Sequence, residues 1–441
     1  MGQLFGTDGV RGTAGEFVTA ELALALGRAA TATAGEVGSV APQVLIVRDT
    51  RESGEMLEAA LAAGVAAAGG QALLGGVLPT PGAALLTRRH GFDLAAVVSA
   101  SHNPYADNGI KFFGPDGTKV PDEREQRIEA LVATEEQPAA HSIGRIRALH
   151  AATGDYLREL ELRFGELDLT RRRVLLDCAN GATYRVAPEI FRRLGADVEA
   201  VATEPDGRNI NAGVGSTHVD GLAERVRAGG FDVGFAFDGD GDRVLAVDRA
   251  GAIVDGDELV ALAALHLREA GRLPGGGVAV TVMTNYGFHT AMGEAGIDVA
   301  VTPVGDRHVL AELLRRGWGL GGEQSGHIID TDFVPSGDGI AAALLTLEAL
   351  GDGDLADRRG MRKLPQRLVN VRVRDRGALD GAAAVWEAVE AESNALEGRG
   401  RVLVRPSGTE PLVRVMVEAP DAVECAAVTE RLVAVVERDL A

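Results

Sequence analysis

Three aspartates alternate with glycine in the segment DGDGDR, which begins at Asp238. The glycines allow one tight loop to turn Asp238, Asp240 and Asp242 toward a common point. Three anions so close together repel each other unless a cation lies among them, and oxygen ligands favour a hard ion such as Mg²⁺. A calcium EF-hand loop does not fit, because its sixth position is Arg243 and its twelfth is Arg249. A solvated acidic turn is the alternative interpretation.

A second segment, SASHNP, could present a hydroxyl nucleophile. It follows an apolar run, Leu94 to Val98, that predicts a buried strand, and Ser101 and His102 stand just past the predicted strand end. Pro104 and Gly109 favour an open loop at this point rather than an immediate helix. An ordinary surface turn rich in serine and asparagine would look similar, so the nucleophile is one of two interpretations.

Lysine is rare in this chain and concentrated near the same loop. Of the 44 basic residues only three are lysines, namely Lys111, Lys119 and Lys363, and the first two lie in or beside the predicted loop. Where arginine would serve as a fixed cation, a lysine indicates a group that must release a proton or fit as a compact ammonium. Chance placement is the alternative.

The segment GGEQSGH carries Glu323 and Ser325 two residues apart between glycines. These side chains can accept and donate hydrogen bonds to a polyhydroxylated ligand, although a plain loop explains the same residues. The sequence contains no GxxxxGK[ST] motif, which argues against a P-loop nucleotide site. It also contains no CxxC or HExxH motif, which argues against zinc.

The segment RPSGTEP has the components of a phosphate site. Arg405 offers a bidentate guanidinium, and Ser407, Gly408 and Thr409 offer O–H or N–H donors. An ordinary hairpin turn would account for the proline, serine and glycine equally well.

Charge and cysteine content limit the class of protein. The formal net charge of -20 and the pI near 4.9 argue against nucleic acid or an anionic membrane as partner, so an anionic substrate would need local basic clusters. Cys178 and Cys425 lie far apart in the sequence and indicate no disulfide framework. We therefore expect a reducing, cytoplasmic location.

The sequence also predicts no targeting or membrane segment. The first residues, MGQLFGTDGVRG, have neither a charged nor an apolar signal region, and Gly6 stands where a myristoylation motif requires serine or threonine. The longest apolar stretch, Ala59 to Leu78, is mostly alanine and glycine and predicts a buried helix followed by a strand.

The elements that must position these residues follow an α/β rhythm. In a chain of 441 residues, for which length alone suggests roughly three domains, apolar strands alternate with helical patterns three times. In the second of these three segments, the third apolar strand, Phe231 to Phe237, runs directly into DGDGDR. The Gly-rich GTDGVRG at Gly6 is predicted as a loop, and the poorly patterned Gln137 to Thr153 as a linker. The C-terminal part predicts a smaller α+β domain whose strands flank RPSGTEP as an antiparallel pair.

Together SASHNP, DGDGDR, GEQSGH and RPSGTEP, in this order, resemble signatures of the phosphohexomutase family of α-D-phosphosugar mutases over essentially the full chain. The resemblance implies an α/β fold with three similar mixed α/β domains and a smaller C-terminal α+β domain around a central cleft. The implied domains are 1–150 with the phosphoserine loop, 151–253 with the metal-binding loop, 254–363 with the sugar-binding loop and 364–441 with the phosphate-binding loop.

The forms FGTDGVRG and GEQSGH are similar to the branch of this family that acts on glucosamine phosphates. The implied activity is that of an isomerase, interconverting glucosamine 6-phosphate and glucosamine 1-phosphate through a phosphoserine enzyme and a sugar bisphosphate, toward UDP-N-acetylglucosamine and the cell wall. A sugar 1,6-bisphosphate would act as activator. Ser101 would be the phosphorylated residue, and its phosphate would join Asp238, Asp240 and Asp242 as ligands of Mg²⁺.

The resemblance also implies roles for the remaining motif residues. Lys111 would be a general acid or base with His102 as its helper, and Arg11 and Arg243 would lie near the phosphoserine. Sugar hydroxyls would be contacted by Glu323 and Ser325. The distal phosphate would be bound by Arg405, Ser407, Gly408 and Thr409.

The sequence departs from the family pattern at Thr284, Tyr286 and His308, where Ser, Leu and Tyr are expected. These changes affect the expected substrate contacts but not the reaction type. A phosphomannomutase or phosphoglucomutase is the nearest alternative, and a non-catalytic phosphosugar-binding protein is an alternative of another class. We expect a phosphosugar as small-molecule partner, no nucleic acid and no membrane, with a homodimer left open.

Overall fold

The computed structural model describes residues 4–6, 8–36, 38–134, 142–407 and 410–441. The chain forms two compact units. The first consists of Met1–Val282 with Val299–Arg358, and the second of Met283–Asp298 with Arg359–Ala441. Both units combine helices with β-sheets, as the sequence predicts for an α/β protein with a smaller α+β part.

The first sheet of the first unit has six strands in the order β1-β5-β4-β2-β3-β6. The pairs β4–β2, β2–β3 and β3–β6 are parallel. Strand β5 is antiparallel to both of its neighbours, β4 and β1. The strands are β1 (Val10–Thr13), β2 (Gln43–Arg48), β3 (Gln71–Val77), β4 (Leu94–Val98), β5 (Asp107–Phe113) and β6 (Arg145–Ala148). The accompanying helices are α1 (Ala20–Glu36), α2 (Gly54–Ala67), α3 (Thr80–His90) and α4 (Asp122–Ala133).

Two expectations for this region are wrong. Gly109 and Lys111 do not belong to the open loop, because the chain re-enters the sheet at Asp107 as β5, where burial on both faces favours ladder hydrogen bonds over a loop. The predicted linker, Gln137 to Thr153, contains β6, which pairs with β3, and it ends within α5. Residues 137–141 of that linker lie outside the described residues.

The second sheet leads to the aspartate loop. Its order is β11-β10-β9-β7-β8, and β10 and β11 form an antiparallel hairpin. Every residue of β9 is buried, so the strand ends inside the protein, directly before Asp238. The elements are α5 (Ala152–Phe164), β7 (Arg173–Asp177), α6 (Val186–Arg193), β8 (Asp197–Val201), α7 (Asp220–Gly229), β9 (Val233–Phe237), β10 (Val244–Asp248) and β11 (Ile253–Val254).

The third sheet has the order β13-β12-β14-β15, and its last two strands pair antiparallel on either side of the GGEQSGH loop. The elements of this part of the chain are α8 (Gly256–Glu269), β12 (Gly277–Thr281), α9 (Tyr286–Glu294), β13 (Asp298–Thr302), α10 (Asp306–Arg316), β14 (Leu320–Gly322), β15 (Ile328–Asp330) and α11 (Gly339–Leu350). Helix α9 belongs to the second compact unit, unlike the rest of this segment.

The second unit contains a three-stranded antiparallel sheet in the order β16-β18-β17, which confirms the antiparallel pair predicted around RPSGTEP. Its elements are β16 (Gln366–Arg372), α12 (Ala383–Ala395), β17 (Arg401–Pro406), β18 (Leu412–Glu418) and α13 (Ala422–Leu440). The segment before α9 packs on this sheet: the backbone N–H of Tyr286 donates to Glu418 (2.8 Å), and Arg401 Nη2 donates to the carbonyl of Thr284 (2.6 Å).

Two further expectations are confirmed. The apolar stretch at residues 59–78 forms the end of α2 and then β3. Both cysteines are free and buried. Among the helices of the described residues, none combines the length and the apolar character that a membrane span requires.

A buried carboxyl group at the start of α11 predicts a pH-dependent stability. Asp338 accepts hydrogen bonds from the N–H of Ala341 (2.9 Å) and from the hydroxyl of Tyr156 (2.8 Å). Burial nevertheless raises its pKa from 3.8 to about 6. Between these two values the folded protein retains a proton that the unfolded chain has lost, so this group's contribution to stability declines as the pH rises through that window.

Asp338→Asn keeps an acceptor for α11 and removes the titration. We expect the free energy of unfolding of the parent, taken relative to that of this variant, to fall by up to about 3 kcal/mol between pH 4 and pH 7. Thermal unfolding midpoints of both proteins across this range measure the effect. Asp421→Asn, at the exposed N-cap of α13, is the control for the loss of a carboxylate that is not buried. Parallel curves for parent and Asp338→Asn would contradict the prediction.

Candidate active site

Ser101 lies immediately beyond β4 in an unusual backbone conformation. Its φ of 52° is left-handed, a conformation that costs a residue with a Cβ about 1–2 kcal/mol. The side chain is buried, and its hydroxyl donates to Asp238 Oδ2 at 2.6 Å. His102 Nδ1 lies 3.2 Å from the same hydroxyl oxygen. The hydroxyl is therefore directed at the aspartate loop, in contact with a carboxylate and an imidazole.

The three aspartates converge as their spacing predicts. One carboxylate oxygen from each of Asp238, Asp240 and Asp242 lies within 4.8 Å of the other two. All three side chains are buried, at 1%, 1% and 6% exposure, which excludes the solvated acidic turn. Burial, reinforced by the charges of Asp242 and Asp240, raises the pKa of Asp238 well above its usual value. The cluster thus concentrates negative charge where water cannot screen it.

The residues present fit a hard cation. Among the described residues, the Oδ1 atoms of Asp240 and Asp242 have no hydrogen-bond partner although both are buried. A buried carboxylate oxygen without a partner costs free energy unless a donor or a cation satisfies it. Mg²⁺ takes oxygen ligands of this kind. Asp238, Asp240 and Asp242 could therefore hold a magnesium ion.

Lys111 enters the same cluster from β5, where it lies opposite Val97 of β4. Its ammonium donates to Asp240 Oδ2 at 2.7 Å and lies 3.8 Å from carboxylate oxygens of Asp8 and Asp242. Burial alone would lower the pKa of Lys111, but the three carboxylates outweigh it and raise the pKa above its usual value. Lys111 is thus a fixed cation beside the aspartates in this structure.

A chain of partly buried charged residues continues from this cluster, and sequence reasoning did not assign a role to any of its members. Lys119 Nζ lies 2.5 Å from Asp8 and 2.6 Å from Asp306. His327 lies 3.7 Å from both Asp306 and Asp242. The scarcity of lysine was the one available signal, and it pointed to Lys119 without showing its partners.

The two arginines expected near Ser101 contact acidic residues of this region. Arg11 pairs with Asp8, and the backbone N–H of Arg243 donates to Asp238 Oδ1 at 3.1 Å. The pKa of His102 is lowered, first by burial and then by the charges of Arg243 and Arg11. Both cations therefore act electrostatically on the imidazole next to the Ser101 hydroxyl. GTDGVRG, predicted as a loop, contains β1, which begins at Val10.

The GGEQSGH loop also reaches this site. Its His327 forms a backbone bridge with Arg243, which joins the loop to the end of the aspartate segment. Glu323 is buried and accepts from the backbone N–H of Gly305 at 2.9 Å, whereas Ser325 is exposed. His308, a departure from the family pattern, is exposed near the start of α10. A fixed carboxylate and a free hydroxyl are consistent with contacts to a polar ligand.

The RPSGTEP segment belongs to the second unit. Arg405 is opposite Arg414 in the β17–β18 ladder, and Arg414 Nε is buried without a hydrogen-bond partner among the described residues. Ser407 is buried, and its carbonyl accepts from Arg376 Nη1 at 2.8 Å. Two guanidinium groups facing each other repel unless an anion lies between them. Gly408 and Thr409 lie outside the described residues.

Comparison with known protein families covers nearly the whole chain. Residues 2–139, 146–251 and 255–366 match the alpha/beta/alpha domains I, II and III of phosphoglucomutase/phosphomannomutase, and residues 368–435 match the C-terminal domain. The phosphoglucosamine mutase of Desulforudis audaxviator is 51% identical over 99% of this chain and 98% of its own length. That of Moorella thermoacetica is 50% identical over 96% of both chains.

Solved structures show the same fold at lower sequence identity. A phosphoglucomutase/phosphomannomutase family protein from Burkholderia thailandensis has a TM-score of 0.84 and 24% identity, covering 99% of this chain and 97% of its own. An N-acetylphosphoglucosamine mutase from Aspergillus fumigatus, in complex with GlcNAc-6P and magnesium, has a TM-score of 0.65 and 18% identity, covering 99% and 96% of the two chains. The four domain matches and the relatives near 50% identity establish that the chain belongs to the phosphoglucomutase/phosphomannomutase family, the phosphohexomutases.

Proposed function

We propose that the protein interconverts glucosamine 6-phosphate and glucosamine 1-phosphate through a phosphorylated Ser101 and a sugar 1,6-bisphosphate. The choice of substrate is supported by relatives named phosphoglucosamine mutase that are 46–51% identical over nearly the whole chain. The reaction type is carried by one structural observation, the buried Ser101 hydroxyl that donates to Asp238 within the three-aspartate cluster.

In the first step, the phosphoryl group passes from Ser101 to the free hydroxyl of the sugar phosphate. The P–O bond to Ser101 Oγ breaks and a P–O bond to the sugar oxygen forms, while the sugar hydroxyl loses its proton and the leaving Ser101 Oγ takes up a proton to become a hydroxyl. The product is the sugar bisphosphate, which then reorients in the site so that its other phosphate faces Ser101. The other phosphoryl group then returns to Ser101, so that the enzyme is regenerated and phosphate has moved between the sugar 1- and 6-positions.

Lys111 and His102 are proposed to manage charge and protons in these steps. Lys111 presents a fixed cation toward Asp240, next to the position of the transferring group. His102 lies 3.2 Å from Ser101 Oγ, close enough to exchange a proton with a group bound there. Arg11 and Arg243 add positive charge around the same imidazole.

Asp238, Asp240 and Asp242, with the phosphate on Ser101, are proposed as ligands of Mg²⁺. When bound, the ion would neutralise charge on the transferring phosphoryl oxygens. The unpartnered Oδ1 atoms of Asp240 and Asp242 support this assignment.

The remaining motif residues are proposed to bind substrate. Glu323, held by the N–H of Gly305, and the exposed Ser325 would contact sugar hydroxyls. The distal phosphate would be bound by residues of the second unit, namely Arg405, Ser407, Gly408 and Thr409. The like charges of Arg405 and Arg414 in adjacent strands support an anion site in this unit.

Location and domain limits complete the proposal. We place the protein in the cytoplasm, where its product would lead to UDP-N-acetylglucosamine and the cell wall; the two free cysteines support a reducing location. The domain limits 1–150, 151–253, 254–363 and 364–441 are supported by the family matches, which change at nearby residues.

Peptide mass spectrometry combined with a mutase assay tests the proposal. We expect phosphate on Ser101, and glucosamine 1-phosphate formed from glucosamine 6-phosphate with Mg²⁺ and a catalytic amount of sugar bisphosphate. A higher kcat/KM with mannose or glucose phosphates would overturn the substrate assignment and retain the chemistry. An unmodified Ser101 with no turnover on any hexose phosphate, even after incubation with bisphosphate, would instead favour a phosphosugar-binding protein.

A further inference from the structure

Arg51 is a fully buried arginine whose guanidinium faces the loop that carries Ser101. Its Nη2 donates to the carbonyl oxygens of Ser101 (2.9 Å) and Asn103 (2.8 Å). Its Nη1 donates to the carbonyl oxygens of Asp107 (3.0 Å) and Pro104. Four backbone acceptors of one loop therefore converge on a single side chain, and that side chain has no exposed surface of its own.

The fifth donor of Arg51 is also used, since Nε donates to Asp49 Oδ2 at 2.8 Å. Both side chains of this ion pair are 0% exposed. The Asp49 carboxylate further accepts from the hydroxyl of Ser99 (2.6 Å) and from the backbone N–H of Arg51 (3.0 Å). Asp49 thus compensates the buried charge and fixes the plane of the guanidinium relative to the end of β4.

A second side chain holds the same carbonyl oxygens. Asn211 Nδ2 donates to the carbonyls of Ser101 (2.9 Å) and Asn103 (3.1 Å). Gly239, between the first two aspartates, packs so closely that a Cβ there would lie 2.6 Å from the Ser101 carbonyl oxygen. The Ser101 carbonyl is therefore fixed by two donors and by close packing, while its hydroxyl points to Asp238.

The left-handed conformation of Ser101 requires such a support. A residue with a Cβ persists at φ 52° only when its surroundings compensate the strain. Four hydrogen bonds from a charged, planar donor to the loop carbonyls supply that compensation. Lysine could not replace it, because a single ammonium has three donors and no fixed plane.

We propose that Arg51, assisted by Asn211, is a positioning residue that holds the Ser101 backbone so that its Oγ faces the aspartates during phosphoryl transfer. Arg51 acts through the loop carbonyls and does not touch the substrate. The inference rests on the proposed function for its catalytic consequence, whereas its structural part concerns the Ser101 loop alone.

Arg51→Lys tests the proposal. We expect a fall in kcat of about 10²-fold with little change in KM, because a small misplacement of a reacting group has an effect of this size. The rate at which glucose 1,6-bisphosphate phosphorylates the dephosphorylated enzyme should fall by a similar factor. Arg163→Lys is the matched control, since Arg163 pairs with Asp330 and Glu348 in the same unit but away from this loop. It should retain the parent kcat.

Asn211→Ala removes the second donor to the Ser101 and Asn103 carbonyls, and its kcat should fall about tenfold with KM unchanged. A crystal structure of either variant should show Ser101 Oγ outside hydrogen-bond distance of Asp238. If Arg51→Lys folds and has the kcat of the parent, the inference is overturned and the proposed function stands. If Arg51→Lys does not fold, the same result in Asn211→Ala overturns the inference. If the parent itself turns over no hexose phosphate, the proposed function fails, and the Ser101 conformation in the variant crystals decides the positioning role.

Discussion

Replacement of Ser101 by alanine is expected to abolish turnover, with a loss of kcat of about 10⁴-fold or more. The variant lacks the oxygen that would carry the phosphoryl group, and within the described part of the chain Ser101 provides the hydroxyl that donates to Asp238. Folding should be retained, because alanine and serine have similar costs at a positive φ and the carbonyl contacts of the loop do not involve the hydroxyl. A coupled mutase assay and thermal unfolding measure the two effects.

Ser142→Ala, at an exposed serine, is the control for this experiment, and its kcat and thermal unfolding should equal those of the parent. In Ser101→Ala, mass spectrometry should detect no phosphate on the peptide that contains residue 101. Turnover at the parent rate in Ser101→Ala would disprove the phosphoserine mechanism.

Asp242→Asn should weaken Mg²⁺ binding by at least about tenfold, because affinity for a hard cation depends on the charge of its ligands. The rise in thermal midpoint that Mg²⁺ produces should therefore become smaller in the variant. Isothermal titration calorimetry and thermal unfolding with and without Mg²⁺ measure these changes.

Asp330→Asn is the matched control, because Asp330 is a carboxylate of the same unit that pairs with Arg163 instead of the cluster. Its Mg²⁺ affinity should equal that of the parent. An unchanged Mg²⁺ affinity in Asp242→Asn would place the ion elsewhere and remove the physical argument for the aspartate site.

Local sequence patterns were sufficient where a residue's role depends on its immediate neighbours. The apolar strand before Asp238 and the alternating glycines predicted a buried, convergent carboxylate cluster. The apolar run before Ser101 predicted a strand that ends just before this residue, and β4 has the predicted bounds. In these cases period and turn chemistry operate within a few residues of the functional group.

The rest depended on contacts between distant segments. Gly109 and Lys111 were expected in a loop, because Pro104 and the polar residues after it have low strand propensity. In the structure, pairing with β4 outweighs this low propensity, and the segment forms a strand. Arg51 follows β2 and contacts carbonyls some 50 residues later, so no local pattern distinguishes it from the other arginines. Backbone acceptors have no sequence signature, and this is why a residue that acts on the Ser101 loop through backbone carbonyls was missed.

The antiparallel pairing of β4 and β5 has a consequence for how this protein can tolerate change. Val97 is opposite Lys111, and Val98 is opposite Ile110, so the ladder and not the intervening loop sets the depth at which the Lys111 side chain enters the site. Insertions or deletions between residues 103 and 106 should therefore leave the lysine in place, whereas a one-residue slip of β5 would turn it to the other face of the sheet. The same changes would move the Asn103 and Pro104 carbonyls that Arg51 holds, so a change of loop length should affect the placement of Ser101 while leaving the depth of Lys111 unchanged.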